Sequence, residues 1–210
     1  MRMLTLEEAV WRLLLILPAL TFHEFAHAYA AERMGDPTPR MLGRLTLNPL
    51  AHIDPIGTIL VPIYVRFGWA KPVPINPRNF RDHARGSLVC SIAGPGSNLL
   101  LALSTGLIAR GLAAFLPPEA IAWDSVFVRF AFSFVAVNVM LAIFNMIPLG
   151  PLDGHHVLEA LLPYPLLMKY RQFNQYGFFI VMAFLFLTPQ LADLVIFRPA
   201  VWAASFLTGF

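Results

Sequence analysis

The sequence predicts an all-α polytopic membrane protein with about four to five transmembrane helices and a short re-entrant or β-like segment near residues 55–66. Three observations carry this. Of 210 residues, 58% are hydrophobic and only 13% charged, against about 25% charged in a soluble domain. The apolar residues gather into runs of 17 to 23 uncharged positions, and about 20 suffice to cross a bilayer as a helix. The arginines lie between those runs, where the positive-inside rule places them. The net charge of +3 comes with no interleaved basic and aromatic stripe, so the partner surface is a lipid bilayer and no nucleic acid is expected.

The runs follow in order. The first covers residues 9–31 and is interrupted by Arg12 and by a polar motif. A start resembling a signal peptide, with Ala28-Tyr29-Ala30 as a cleavage site, is rejected because Glu7 and Glu8 spoil the basic leader. The second run, 55–65, has 11 residues and contains Pro62. It is too short to span, and Thr58, Ile59, Val61, Ile63, Tyr64 and Val65 favour strand. Such backbone is tolerated at membrane depth only when buried in protein or lining a wet cavity. The runs 87–109, 130–149 and 176–192 hold 23, 20 and 17 residues and qualify as spans, while 199–210 is apolar but short. No repeat, low-complexity tract or flexible linker divides residues 1–210, which read as a single domain. Cys90 has no cysteine partner and sits in an uncharged run as a packing residue.

The polar motif is His23-Glu24-Phe25-Ala26-His27. Residues four apart share a helix face one turn above each other, so His23 and His27 offer two imidazoles to one zinc ion. Glu24 stands beside them to take a proton from water that the metal acidifies. Ionisable groups cost about 2.5–3.5 kcal/mol each at the bilayer centre, so an intramembrane cluster marks a function. Catalytic zinc takes three protein ligands and keeps one open position. Asp153, His155, His156, His52 and Asp54 are the candidates for the third. Asp153 sits in NMIPLGPLDGHH, residues 145–156, where prolines and glycines impose a fixed, irregular path after the fourth run.

HExxH on an early helix with NxxPxxPLDG on a later one resembles the site-2 protease family of intramembrane zinc metalloproteases. AGPGSN, residues 93–98, is similar to the family's GPxxN signature. GRLTLNPLAHIDPIGT and GWAKPVPINPRNF resemble its short prokaryotic branch, which lacks PDZ and nucleotide-sensing domains. The resemblance implies one Zn2+ per chain held by His23, His27 and Asp153, with Glu24 as catalytic base. It implies that Asn145 and Asn98 position substrate or stabilise the oxyanion. It further implies a transmembrane protein substrate, cut in or near its spanning segment by regulated intramembrane proteolysis. Many relatives carry a further helix before HExxH, and none is expected here.

The topology agrees. If the 55–65 run does not cross, the third and fourth runs return the chain to the side of HExxH, and all ligands meet. Arg2, Arg12, Arg110, Arg129 and Arg198 lie on the opposite side, and the other ten of the 15 basic residues lie with the motif. The active site therefore faces the cytoplasm of a prokaryotic cell membrane. Substrate must be unwound, and an extended segment at 58–65 would either accept it as an added strand or pack the core. His155 and His156 read as supporting or interface residues, and His52 and Asp54, after Asn48-Pro49, either border the site or serve turn chemistry. Trp69, Trp123 and Trp202 fit interfacial anchoring. The rival functions are a metal-ion transporter and a catalytically silent membrane adaptor on the same fold.

Overall fold

α1, Leu6–Met34, begins where Thr5 closes a capping box: Thr5 Oγ1 accepts from Glu8 N at 3.2 Å, and Glu8 Oε2 accepts from Thr5 N at 2.8 Å. Glu7 and Glu8 add negative charge at the positive end of the helix. Its 29 residues reach about 43 Å at 1.5 Å per residue. The helix stops at Gly35, whose φ of 112° is left-handed. Gly35 N then returns to Glu32 O at 3.0 Å and Asp36 N to Ala31 O at 2.9 Å. The molecule is a computed structural model that describes residues 5–60 and 69–210, and among the described residues no strand occurs.

Short turns follow, each beginning at or beside a proline: Thr38–Met41, Pro49–Ala51, Pro55–Leu60 and Pro77–Asn79. Asp36 ties this stretch to the end of α1. Its fully buried carboxylate accepts from Thr38 N at 3.1 Å, Thr38 Oγ1 at 2.5 Å, Asn76 N at 2.7 Å and Asn79 Nδ2 at 2.8 Å. Burial by itself would raise the pKa of this carboxyl. The hydrogen bonds from Thr38, Asn79 and Asn76 outweigh it and hold the group below the usual carboxylate range. Ala30, Ala31, Phe80 and Cys90 form a core here, with Met34, Ile75, Val89 and Ala93 packed against it.

Of the alternatives for 55–66, the described part is helical. Pro55–Leu60 is a π-helical turn, not the extended edge expected from Thr58 onward. Asp54 causes it, because its Oδ1 accepts from Gly57 N at 2.6 Å and its carbonyl accepts from Thr58 N at 2.8 Å. The remainder of the expected strand, 61–65, lies outside the described residues.

α2, His83–Ala113, is 31 residues long. The chain divides within it into two compact units, Met1–Gly94 and Pro95–Phe210. In the second unit, α3, Val126–Asn145, is capped by Ser125 Oγ, which accepts from Val128 N at 3.2 Å. α4, Asp153–Leu161, α5, Tyr164–Asn174, and α6, Gly177–Leu187, come next. α7, Arg198–Thr208, packs on α3, and Ala102, Val135, Val139, Ala200 and Ala204 form their shared core with α2. Gly106 permits the approach, since a Cβ there would lie 2.6 Å from Leu207 Cβ.

Among the described residues, four helices are long and apolar enough to cross a membrane: Leu6–Met34, His83–Ala113, Pro118–Asn145 and Pro189–Thr208. The last corrects the expectation of a span at 176–192. Pro189 has no amide hydrogen to continue a helix, so α6 ends at Leu187 with only 11 residues. The tail instead joins residues 189–197 in one helical run. Arg198, within that run, is paired with Asp193 at 2.7 Å.

Candidate metal centre

Helical spacing brings His23, Glu24 and His27 together in the first unit, all buried. The two imidazoles meet edge to face, with ring centroids 4.6 Å apart at 81°. Their Nε2 atoms are 3.0 Å apart. Two nitrogens about 2.0–2.1 Å from one tetrahedral zinc would stand about 3.3 Å apart, so the pair fits a single small ion. The tautomer fits as well. His27 Nδ1 lies 2.7 Å from the carbonyl oxygen of Cys90, a pure acceptor. Nδ1 therefore carries the proton and Nε2 keeps its lone pair for a metal. Gly94 completes the cradle: a Cβ there would lie 2.3 Å from His27 Nε2 and 2.7 Å from His23 Cε1. Space at the two ligand edges exists because this residue has no side chain.

Glu24 Oε2 accepts from Val73 N at 2.9 Å. Sequence reasoning missed Val73, as it missed the Cys90 carbonyl and Gly94. The first two act through main-chain atoms and leave no residue-type signal. For Gly94 the GPxxN match was the available sign.

The other candidates belong to the second unit or to the turns. Asp153 is the first residue of α4 and half-buried; a helix N-terminus suits a carboxylate. The turn before it is tightly held. A Cβ on Gly154 would meet Met146 O at 2.4 Å. Gly150 N donates to Asn174 Oδ1 at 2.7 Å, and Tyr170 Oη donates to Pro148 O at 3.0 Å. Asn145, half-buried at the end of α3, donates from Nδ2 to Leu141 O at 3.0 Å. Asn98 is fully buried and donates from Nδ2 to Asn138 Oδ1 at 2.9 Å, while Asn138 Nδ2 donates to Phe134 O at 2.9 Å. Asn138 was not anticipated.

His155 Nδ1 lies 2.6 Å from Leu152 O, and its ring is 3.7 Å from that of His156. One turn on, Glu159 receives a two-pronged contact from Arg171 at 3.1 and 3.0 Å. Burial pushes the Glu159 carboxyl up, but the Arg171 guanidinium prevails and holds it below its ordinary pKa. His52 is buried with Nε2 2.9 Å from Thr46 O. Asp54 caps the Pro55–Leu60 turn through Gly57 N and Thr58 N.

A model described as peptidase family M50 matches residues 112–188. "Putative zinc metalloprotease YwhC" of Bacillus subtilis is 41% identical over 174 residues, which are 83% of this chain and 78% of that protein. The chain belongs to peptidase family M50. Proteins named "Putative zinc metalloprotease Rip2" also match this M50 chain. That of Mycolicibacterium smegmatis is 32% identical over 83% of the chain, and that of Mycobacterium tuberculosis strain H37Rv 34% identical over 68%. The M50 chain spans 66% and 54% of those two proteins. No solved structure matches it. The resemblance to site-2 proteases read from the motifs is thus borne out, and with four long apolar helices among its described residues the M50 chain is an integral membrane peptidase.

Proposed function

We propose that this M50 peptidase is an intramembrane zinc metalloprotease that hydrolyses peptide bonds in or near the spanning segments of membrane proteins. One observation carries the reading most directly: two buried imidazoles whose Nε2 atoms converge at 3.0 Å, one of them with its proton committed to a carbonyl. His23, His27 and, from the second unit, Asp153 are the proposed ligands, a nitrogen and oxygen donor set of the kind zinc takes. In that reading the two compact units work as one catalytic domain. Zinc, when bound, supplies Lewis acidity to the scissile carbonyl and acidifies water. Glu24 takes the proton of the attacking water and returns it to the leaving amine. Asn145 and Asn98 are the candidates to hold the oxyanion or the substrate backbone. Asn145 is the better placed, being half-buried with one amide hydrogen beyond its bond to Leu141 O. The excess of basic residues around HExxH supports a site facing the cytoplasm of a bacterial cell membrane.

The test is metal analysis of the purified protein beside cleavage of a panel of single-span membrane proteins. The wild type holds one zinc per chain and cleaves at least one member. Glu24→Gln keeps the zinc and loses about a hundred- to ten-thousand-fold in rate. Undiminished cleavage by Glu24→Gln overturns the mechanism. Zinc uptake into vesicles, surviving in Glu24→Gln without any cleavage, selects the transporter instead.

A further inference from the structure

Residues 69–76, Trp-Ala-Lys-Pro-Val-Pro-Ile-Asn, run without regular structure, yet their amide hydrogens are allotted with a period of two. Trp69 N donates to Gly57 O at 3.0 Å, Lys71 N to His52 O at 2.9 Å and Val73 N to Glu24 Oε2 at 2.9 Å. This is the alternation of an extended strand, and the residues before Pro72 and Pro74 are driven to extended geometry by the rings that follow them. Prolines at 72 and 74 also have no amide hydrogen. Val73 N–H is therefore the only main-chain donor in Pro72-Val73-Pro74, and it goes to the carboxylate of Glu24.

Arg44 holds this strap in place. It is buried, and its guanidinium donates to the carbonyls of Ala51 and Lys71 and to Pro72 O at 2.9 Å. A buried guanidinium is tolerated only when well hydrogen-bonded. Here its partners are main-chain carbonyls, two of them from the residues just before Val73. The far end of the strap is fixed by Asp36, which accepts from Asn76 N at 2.7 Å. Clamped on both sides, the peptide of Val73 has little freedom to leave Glu24.

We propose that Arg44 is a positioning residue for the reaction, acting through the Val73 amide to hold the carboxylate of Glu24. A glutamate on a helix has three side-chain torsions, the last of them broad. One fixed hydrogen bond to Oε2 sets the plane of the carboxylate and leaves Oε1 to receive the proton. The proposal rests on Glu24 being the base, and its test separates the two ideas.

Val73→Pro deletes the amide hydrogen and suits extended backbone. Loss of a hydrogen bond to a charged acceptor corresponds to about ten- to hundred-fold. That loss is expected in kcat, with KM and zinc content unchanged, on whichever single-span membrane protein the wild type cleaves and Glu24→Gln does not. Val73→Ala keeps the amide hydrogen and retains most of the kcat that Val73→Pro loses. Arg44→Gln falls like Val73→Pro, and Arg44→Lys recovers part. In a Glu24→Gln background, Val73→Pro has no further effect. Hydrogen exchange gives a readout that needs no turnover, because residues 72–74 hold one exchangeable amide. It is slow in the wild type and at least about tenfold faster in Glu24→Ala and Arg44→Gln.

Wild-type kcat in Val73→Pro with a dead Glu24→Gln overturns the positioning proposal and leaves the mechanism standing. A raised KM at unchanged kcat overturns it too, making the strap a substrate contact. Should either substitution prevent folding, unchanged Val73 exchange in Glu24→Ala overturns it by itself. Cleavage by Glu24→Gln removes the base, and the proposal with it.

Discussion

Gly94→Ala tests the metal centre without touching a ligand. The added Cβ would stand 2.3 Å from His27 Nε2, 2.6 Å from His27 Cε1 and 2.7 Å from His23 Cε1. Non-bonded heavy atoms settle at about 3.5–4.0 Å, so His27 Nε2 or the helix must yield by about 1.2 Å. A metal site holds its ligand distances to about 0.2 Å, so the displacement is several times what coordination accepts. The neighbouring atoms are ring edges packed between two helices, and neither ring swings away as a long flexible chain would. Alanine is otherwise the better helix former by about 1 kcal/mol, so the apo fold should not suffer in proportion. Zinc affinity is expected to fall at least about a hundredfold, the upper range for disturbed support of a metal site. Competition with a chromophoric chelator measures this, alongside thermal unfolding with and without EDTA. Gly96→Ala is the control, because a Cβ there meets nothing within 4 Å. Wild-type zinc affinity in Gly94→Ala would show that the metal does not lie at the Nε2 edges of His23 and His27.

Asp36 should make stability pH-dependent. Its folded pKa lies below the ordinary value near 3.8, so its contribution is full above that value and fades as pH falls toward the folded one. Asp36→Asn flattens the acid limb of a pH series of unfolding midpoints, and Asp36→Ala costs about 2–3 kcal/mol through unsatisfied donors at Asn76 and Asn79. Asn98→Ala and Asn138→Ala should each cost about 0.6–1.7 kcal/mol, and their double-mutant cycle should show coupling because the pair shares one bond. Gly106→Ala forces α2 from α7 at Leu207 and should cost about 1–3 kcal/mol, whereas Gly111→Ala, with open space around its Cβ, should be neutral or stabilising. Denaturant or thermal unfolding in detergent checks both.

What was legible in the sequence was side-chain chemistry at helical spacing. His23 and His27 announce a shared face by their separation alone, and the scarcity of charge announces the bilayer. Span boundaries were harder, because an apolar run and a helix are different things. Pro189 sits inside an uncharged stretch yet ends a helix, and Arg198 sits at the edge of one yet continues it by pairing with Asp193. The strap was illegible for another reason. Lys71, Pro72 and Val73 act through their peptide groups, and Arg44 is recognisable as more than a loop cation only when its carbonyl partners are seen. Thr58 misled because β-branched residues favour strands only where the backbone is free to extend, and Asp54 had already closed a turn.

The Cys90 carbonyl that fixes the His27 proton has a practical meaning for mutational scanning. An anchor made of peptide oxygen persists through any replacement of the thiol, so variants at position 90 will register crowding or looseness between helices and leave imidazole orientation alone. Changes elsewhere that tilt or slide that stretch of α2 will disorient the imidazole without altering a single polar side chain. Alleles of this second kind would read as conservative on paper and behave as metal-site lesions.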